Sequence, residues 1–194
     1  MNLAATVAGN PVAIDEIDAR EAALRSSPQT AALPRPGTSE GRQLRRWLTQ
    51  LLVTERVVAR EAEALDITVT DATPDEDAVL PDLTARLEIG SIAVGVLADP
   101  LARAVYAHIT ARVDVDDATV ADYHHRNPRR FASIHEPTPT MEQVQSRISE
   151  MLQGAARRRA FRLWLEQRRA ALVWLAPGYE HPGDPRQPDN VHRH

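Results

Sequence analysis

The sequence predicts a mainly α-helical protein with one small sheet. Apolar residues recur at helical spacing through Leu44, Trp47, Leu48, Leu51, Leu52, Val58, Ala62 and Leu65. A second stripe runs through Val144, Ile148, Met151, Leu152 and Ala155 and resumes at Phe161, Trp164 and Leu165. Short strand-like segments stand only near the two ends, at residues 3–14 and Val173–Leu175.

Taken in order, residues 3–8 and 11–14 read as two strands turned at Gly9-Asn10, residue types that tolerate the backbone angles of a tight turn. Asp15 then caps a helix that runs to about Arg25. Residues 26–37 carry Pro28, Pro34 and Pro36 and predict an extended loop without regular helix. Thr38 or Ser39 opens the long helix of the first stripe, with Arg45, Arg46, Glu55, Arg56 and Glu63 on its wet face. Thr73-Pro-Asp-Glu76 is a capping box with proline in the first turn, and Pro81 either limits that helix or opens its successor. Asp99-Pro100 starts a helix through Leu101, Val105, His108 and Ile109. Asp116 or Asp117 starts another, ended by Asn127-Pro128 because the residue before proline is pushed out of helical geometry. Thr140-x-x-Gln143 is a capping box opening the longest helix, to about Leu172.

Composition sets the limits. At 194 residues the chain fits one domain, here a body over 1–176 and a Pro/His-rich tail over 177–194. Aromatics are 4%, so the core must be built from Ala, Val, Leu and Ile. The absence of cysteine excludes disulfides, thiolate catalysis and cysteine-ligated metal. All 23 basic residues are arginine, which fits GC-rich codon usage. The net charge of −4, without interleaved aromatics, argues against a nucleic-acid partner. Arg157-Arg-Arg159, with Arg162, Arg168 and Arg169, reads as a solvated helix face. No run approaches a membrane span, and the N-terminus lacks a basic region followed by an apolar one, so a cytoplasmic protein is expected. No phosphate loop, dinucleotide fingerprint, G-x-S-x-G or zinc-protease motif occurs.

Two sets of residues are candidates for function. Trp47, Trp164 and Trp174 are sparse, large apolar groups suited to anchoring the core or lining a peptide groove. The tail gathers His181, His192 and His194 with Asp184 and Asp189, a donor set suited to zinc, copper, nickel or iron. Of the other histidines, His108 reads as an interior residue. His124 and His125 point about 100° apart on a helix, too far to share one ion.

Three segments carry a family resemblance: Val7-Ala-Gly-Asn-Pro-Val-Ala-Ile-Asp-Glu-Ile17, Val113-Asp-Val-Asp-Asp-Ala-Thr-Val-Ala-Asp-Tyr-His-His-Arg-Asn-Pro-Arg-Arg-Phe131, and Thr140-Met-Glu-Gln-Val-Gln-Ser-Arg-Ile148. In that order they resemble the SurA/PrsA-type chaperones of the parvulin family. The resemblance covers about two thirds of the chain and is weak over 66–110. It implies that Val173–Leu175 pairs with residues 3–14 and that Tyr123 and Phe131 are core contacts. It also implies an apolar cleft that binds extended peptide.

In such relatives a prolyl isomerase domain of roughly 90–100 residues comes after a tract like Asn127–Phe131. Here Ile134-His135 resembles only the stub of its first strand, and the capping box stands immediately beyond. Prolyl isomerase activity is therefore not expected, and His135 is given no catalytic role. The function expected is non-catalytic, chaperone-like or accessory binding of a peptide or protein client. The alternative is a metal-dependent protein or small accessory enzyme using the tail histidines. A homodimer formed by exchange of terminal segments, hinged at 26–37, is a further expectation.

Overall fold

Both stripes form long helices in a computed structural model of the chain, which describes residues 3–132 and 138–184. The architecture is mainly α-helical, with eight α-helices and one three-stranded antiparallel sheet among the described residues. In chain order come β1 (Leu3–Val7), β2 (Asn10–Ala13), α1 (Ile14–Arg25), a 3₁₀ turn (Pro28–Ala32) and α2 (Ser39–Ala64). Next are α3 (Glu76–Val79), α4 (Leu83–Ile89), α5 (Ser91–Leu97) and α6 (Pro100–Thr110). The chain continues through α7 (Asp117–Arg126) and α8 (Met141–Leu172) to β3 (Val173–Leu175).

The sheet has the order β2-β1-β3, with Thr6 opposite both Pro11 and Trp174. The last strand thus closes on the first, as the resemblance implies. Ala8 N–H donates to Leu172 O at 2.7 Å and Ala176 N–H to Ala4 O at 2.9 Å, extending the clasp by one bond at each end.

α2 is the central helix because it is apolar on more than one side. Val53 and Val57 pack on Ala5, Val7 and Val12 of the sheet. Leu51, Val58 and Ala62 join Val96, Leu97, Val105, Phe161 and Leu165 in the main core. Leu48 meets Ala4 and Ile17 under α1. α7 packs separately on the first half of α8 through Val120, Val144 and Ile148, with Tyr123 and Phe131 against them.

Several expectations are corrected. The hairpin turns at Ala8-Gly9, not Gly9-Asn10: φ is 49° and 82°, and Val7 pairs with Asn10. α1 begins earlier, capped at Ala13, whose N–H donates to Glu16 Oε1 at 2.9 Å; Asp15 lies in its first turn. Residues 26–37 do contain the 3₁₀ turn, entered at Pro28 where no N–H is needed. Thr73 does not cap α3, because its hydroxyl accepts from Thr70 N–H at 3.0 Å; the cap position is Asp75. Arg46 is buried rather than on a wet face, whereas Leu65 and His108 are exposed. Arg158 is also buried, so the basic face of α8 is not uniformly solvated.

The tail begins on the body. Arg46 Nε–H donates to Gly178 O at 3.2 Å, Gln50 Nε2–H to Tyr179 O at 2.8 Å, and Tyr179 packs with the Ala4–Ile17–Leu48 cluster. No single helix among the described residues is long and apolar enough to cross a membrane.

Candidate functional site

One face of α8 carries Arg162, Leu165, Glu166 and Arg169, at the i, i+3, i+4 and i+7 spacing that aligns side chains along a helix. Opposite it, α4 meets α5 at Gly90, whose φ of 88° suits a residue without a Cβ. The corner turns Ile89, Ile92 and Ala93 toward α8 and leaves a cavity of about 420 Å³. Thr54 of α2 and His181 of the tail complete its lining.

Ile89, Ile92, Ala93 and Leu165 form the apolar wall, and Thr54, Ser91, Arg162, Glu166, Arg169 and His181 bring polar groups to it. Thr54 Oγ1–H donates to Gln50 O at 2.7 Å, so its hydrogen is spent within α2. Arg162 pairs with Glu166 at 3.0 Å. Arg169 donates through Nη2 to Gln50 Oε1, while the fully buried Gln50 donates onward to Tyr179 O. Arg169 thereby joins α8, α2 and the tail in one chain of bonds. Its Nε is buried without a hydrogen-bond partner among the described residues. Burial opposes the Arg169 charge and pulls its pKa down, a pull that the Glu166 carboxylate only partly offsets.

His181 stands at the mouth. Gly183 N–H donates to its Nδ1 at 3.0 Å. A neutral imidazole accepting at Nδ1 carries its proton on Nε2, so the free nitrogen is a donor. Burial, with Arg169 acting in the same direction and Asp184 against it, lowers the His181 pKa and favours that neutral form. Ligation of a metal through Nε2 would require this tautomer to change.

Of the proposed metal ligands, His181 and Asp184 are adjacent in the 181–184 turn, where Asp184 N–H donates to His181 O at 2.9 Å. His192 and His194, with Asp189, lie outside the described residues, as do Ile134 and His135. No group of three His, Asp or Glu side chains suited to a metal occurs among the described residues. His124 instead bonds Pro139 O at 3.1 Å, and His125 is exposed.

The three tryptophans occupy different surroundings. Trp47 lies behind α5, its Nε1–H donating to Ser91 Oγ at 3.2 Å, and it borders a shallow groove with Arg20, Leu24 and Leu51. Trp164 stacks on Phe161 with ring centroids 5.4 Å apart and packs on the main core. Trp174 is 53% exposed on β3. Leu172 and Ala176 bond back to β1, so by alternation Trp174 directs its main-chain groups inward and Leu175 directs its own to the outer edge, together with the Val173 carbonyl; the Val173 N–H is spent on Arg169 O.

A second cavity, of about 440 Å³, lies between α6 and α8 and is lined by Pro74, Tyr106, Thr110, Gln153 and Arg157 among others. The first is the better candidate because its apolar wall stands beside a cation without a carboxylate partner among the described residues. Sequence reasoning does not single out Thr54, Arg162, Glu166 and Arg169 as a group. Their signals are the polar Thr54, one turn from Leu51 in an apolar stripe, and the spacing along α8.

The fold and cavity thus define a mainly α-helical protein whose chain ends are clasped by a small sheet. A family model described as a family of unknown function (DUF7158) matches residues 3–40, which span the hairpin, α1 and the approach to α2. Comparison with curated proteins found no match, and comparison with solved structures found none.

Proposed function

We propose that the protein is a non-catalytic, chaperone-like or accessory factor that binds an extended peptide or a segment of a partner protein. The observation carrying this reading is the cavity beneath α5. Ile89, Ile92, Ala93 and Leu165 wall it, and several of its polar lining groups are already bonded within the protein: Thr54 to Gln50 O, Ser91 to Trp47 and Arg162 to Glu166. A concave apolar wall with placed polar groups is the usual character of a binding site. The outer edge of β3 offers main-chain groups by which an extended segment can add to the sheet.

The order of segments supports a SurA/PrsA-type frame without its isomerase insert. The hairpin leads into helices, and the last helix runs into a strand that returns to the hairpin. Residues 132–139 are all that separate Phe131 from the Thr140 cap, so the reading includes no prolyl isomerase activity.

The test is fluorescence anisotropy of labelled apolar peptides with the full chain and with Ile92→Trp, which fills the mouth of the cavity. Saturable binding, weakened about tenfold or more by the variant at unchanged melting temperature, is expected. Failure of every such peptide to bind the unmodified chain rejects the reading.

A further inference from the structure

We propose that the cavity beneath α5 recognises a carboxylate, with Arg169 as the anchoring cation. The inference rests on the peptide-binding reading and adds the chemistry of what is recognised.

Several sheltered arginines in this chain have carboxylate partners, while Arg46 and Arg103 bond main-chain carbonyls. Arg158 meets Glu88 at 2.9 Å, Arg168 meets Glu61 at 2.6 Å, and Arg45 meets Asp18 and Glu21 at 2.6 and 2.8 Å. Arg169 is different. Its bond to Gln50 Oε1 is to a neutral amide, and no carboxylate among the described residues lies within ion-pair distance; its buried Nε lacks a hydrogen-bond partner among them, as do those of Arg157 and Arg168. Its nearest acidic influence is Glu166, which is paired with Arg162. Removing a cation from water without an anion is costly, and guanidinium is always charged at physiological pH. Gln50 takes one of its five N–H donors. The remaining demand is for an acceptor with negative charge.

The rest of the lining agrees in sign. With His181 neutral, Arg162 and Glu166 cancel, leaving the single positive charge of Arg169 beside the apolar wall. His181 adds an Nε2–H donor at the mouth, because Nδ1 is occupied by Gly183 N–H. Thr54 has spent its hydrogen on Gln50 O, and Ser91 Oγ accepts from Trp47. A ligand with an apolar body and a carboxylate head matches these surfaces: Ile89, Ala93 and Leu165 take the body, and Arg169 takes the head. Two sources share that chemistry, a peptide's C-terminal carboxylate and an Asp or Glu side chain within it.

The test is calorimetric titration of the full chain with three matched apolar peptides, one with a free C-terminal acid, one amidated, and one amidated with an internal Glu. Hexanoate serves as a carboxylate without peptide. Preference of about tenfold or more for either acidic peptide over the plain amide is expected, and the preferred one identifies the source. Arg169→Met should erase the preference. Arg169→Lys should keep part of it.

Equal binding of all three peptides overturns the carboxylate inference and leaves the peptide reading standing. Saturable binding of hexanoate alone, lost in Arg169→Met, supports the carboxylate site and removes the peptide reading. Binding of none removes both. The acid–amide comparison on the unmodified chain decides the matter even where Arg169→Met does not fold.

Discussion

Arg158 of α8 and Glu88 of α4 form a clamp in which Nε and Nη2 both donate to Glu88 Oε2, at 3.1 and 2.9 Å. Arg158 Nη1 also reaches Val79 O at 3.4 Å, so one side chain holds the end of α3 and the flank of α4. Its position decides where Ile89, the next residue after Glu88, stands in the cavity wall. The clamp is asymmetric: the arginine side chain is 9% exposed and the glutamate 43%. Removing the glutamate therefore strands a buried cation, whereas removing the arginine leaves an anion that water can still solvate. Glu88→Ala is expected to cost about 2–3 kcal/mol, less than a fully buried pair, and Arg158→Met about 1 kcal/mol. Urea unfolding of both variants and the double mutant checks this. Equal costs would show that the pair is not asymmetric.

The hairpin carries an avoidable strain. Ala8 has a φ of 49°, in the left-handed region where a Cβ is unfavourable, and the next residue, Gly9, adopts 82°. Positive φ at both central residues is the signature of the turn favoured by Asn-Gly. Ala8→Asn restores that pair and keeps the Ala8 N–H bond to Leu172 O, because the substitution leaves the main chain unchanged. It is expected to stabilise the protein by about 0.5–1 kcal/mol, read as a melting-temperature rise of about 2 °C.

The same hairpin marks how far residue type alone reaches. Its strands are legible in the sequence, but the turn is displaced by one residue. Asn10 has the character of a turn residue, and only the pairing of Val7 with Asn10 puts it in the ladder. α2, α6, α7 and α8 are legible from long stripes or strong caps; Asp99 and Asp116 both accept from N–H groups of their own first turns. α4 and α5 are not, because seven-residue helices are too short to display a stripe. The cavity is illegible for another reason. Arg162, Glu166 and Arg169 are visibly in phase, but the wall they face comes from residues 89–93, and sequence spacing carries no distance across such a separation. The tryptophans, selected for size alone, report on packing in three separate places.

Glu21 makes acid stability testable. Burial opposes its charge, but hydrogen bonds and charges from Arg25 and Arg45 outweigh burial and hold the carboxyl below its ordinary value of 4.5. A carboxyl with a lowered folded pKa contributes stability that is fully present above the unfolded value. That stability disappears as pH falls through the folded one. Glu21→Gln is therefore expected to lose about 1–3 kcal/mol at pH 7. Below pH 4.5 it should differ progressively less from the unmodified protein. Urea midpoints of both proteins between about pH 7 and pH 3 test the convergence; parallel curves would show that Glu21 does not titrate with folding.

The folded body extends past the last strand into residues 178–184. Gln50 is fully buried in α2, accepting from Arg169 and donating to Tyr179 O at 2.8 Å. Arg46, 6% exposed, donates to Gly178 O at 3.2 Å. A chain ending at Pro177 loses both carbonyl acceptors and the packing of Tyr179 on Ala4, Ile17 and Leu48. A buried donor left without its acceptor costs about 1–3 kcal/mol, and uncovering the apolar cluster beneath Tyr179 adds a comparable amount. A chain ending at Asp184 retains these contacts. The shorter chain is thus expected to be less stable than the longer by about 2–4 kcal/mol in urea unfolding, with faster amide exchange in α2 around Gln50. It should also lose ligand affinity, because Gln50 without Tyr179 no longer holds Arg169 in place. Equal stability of the two truncated chains would mean that residues 178–184 rest on the body without supporting it.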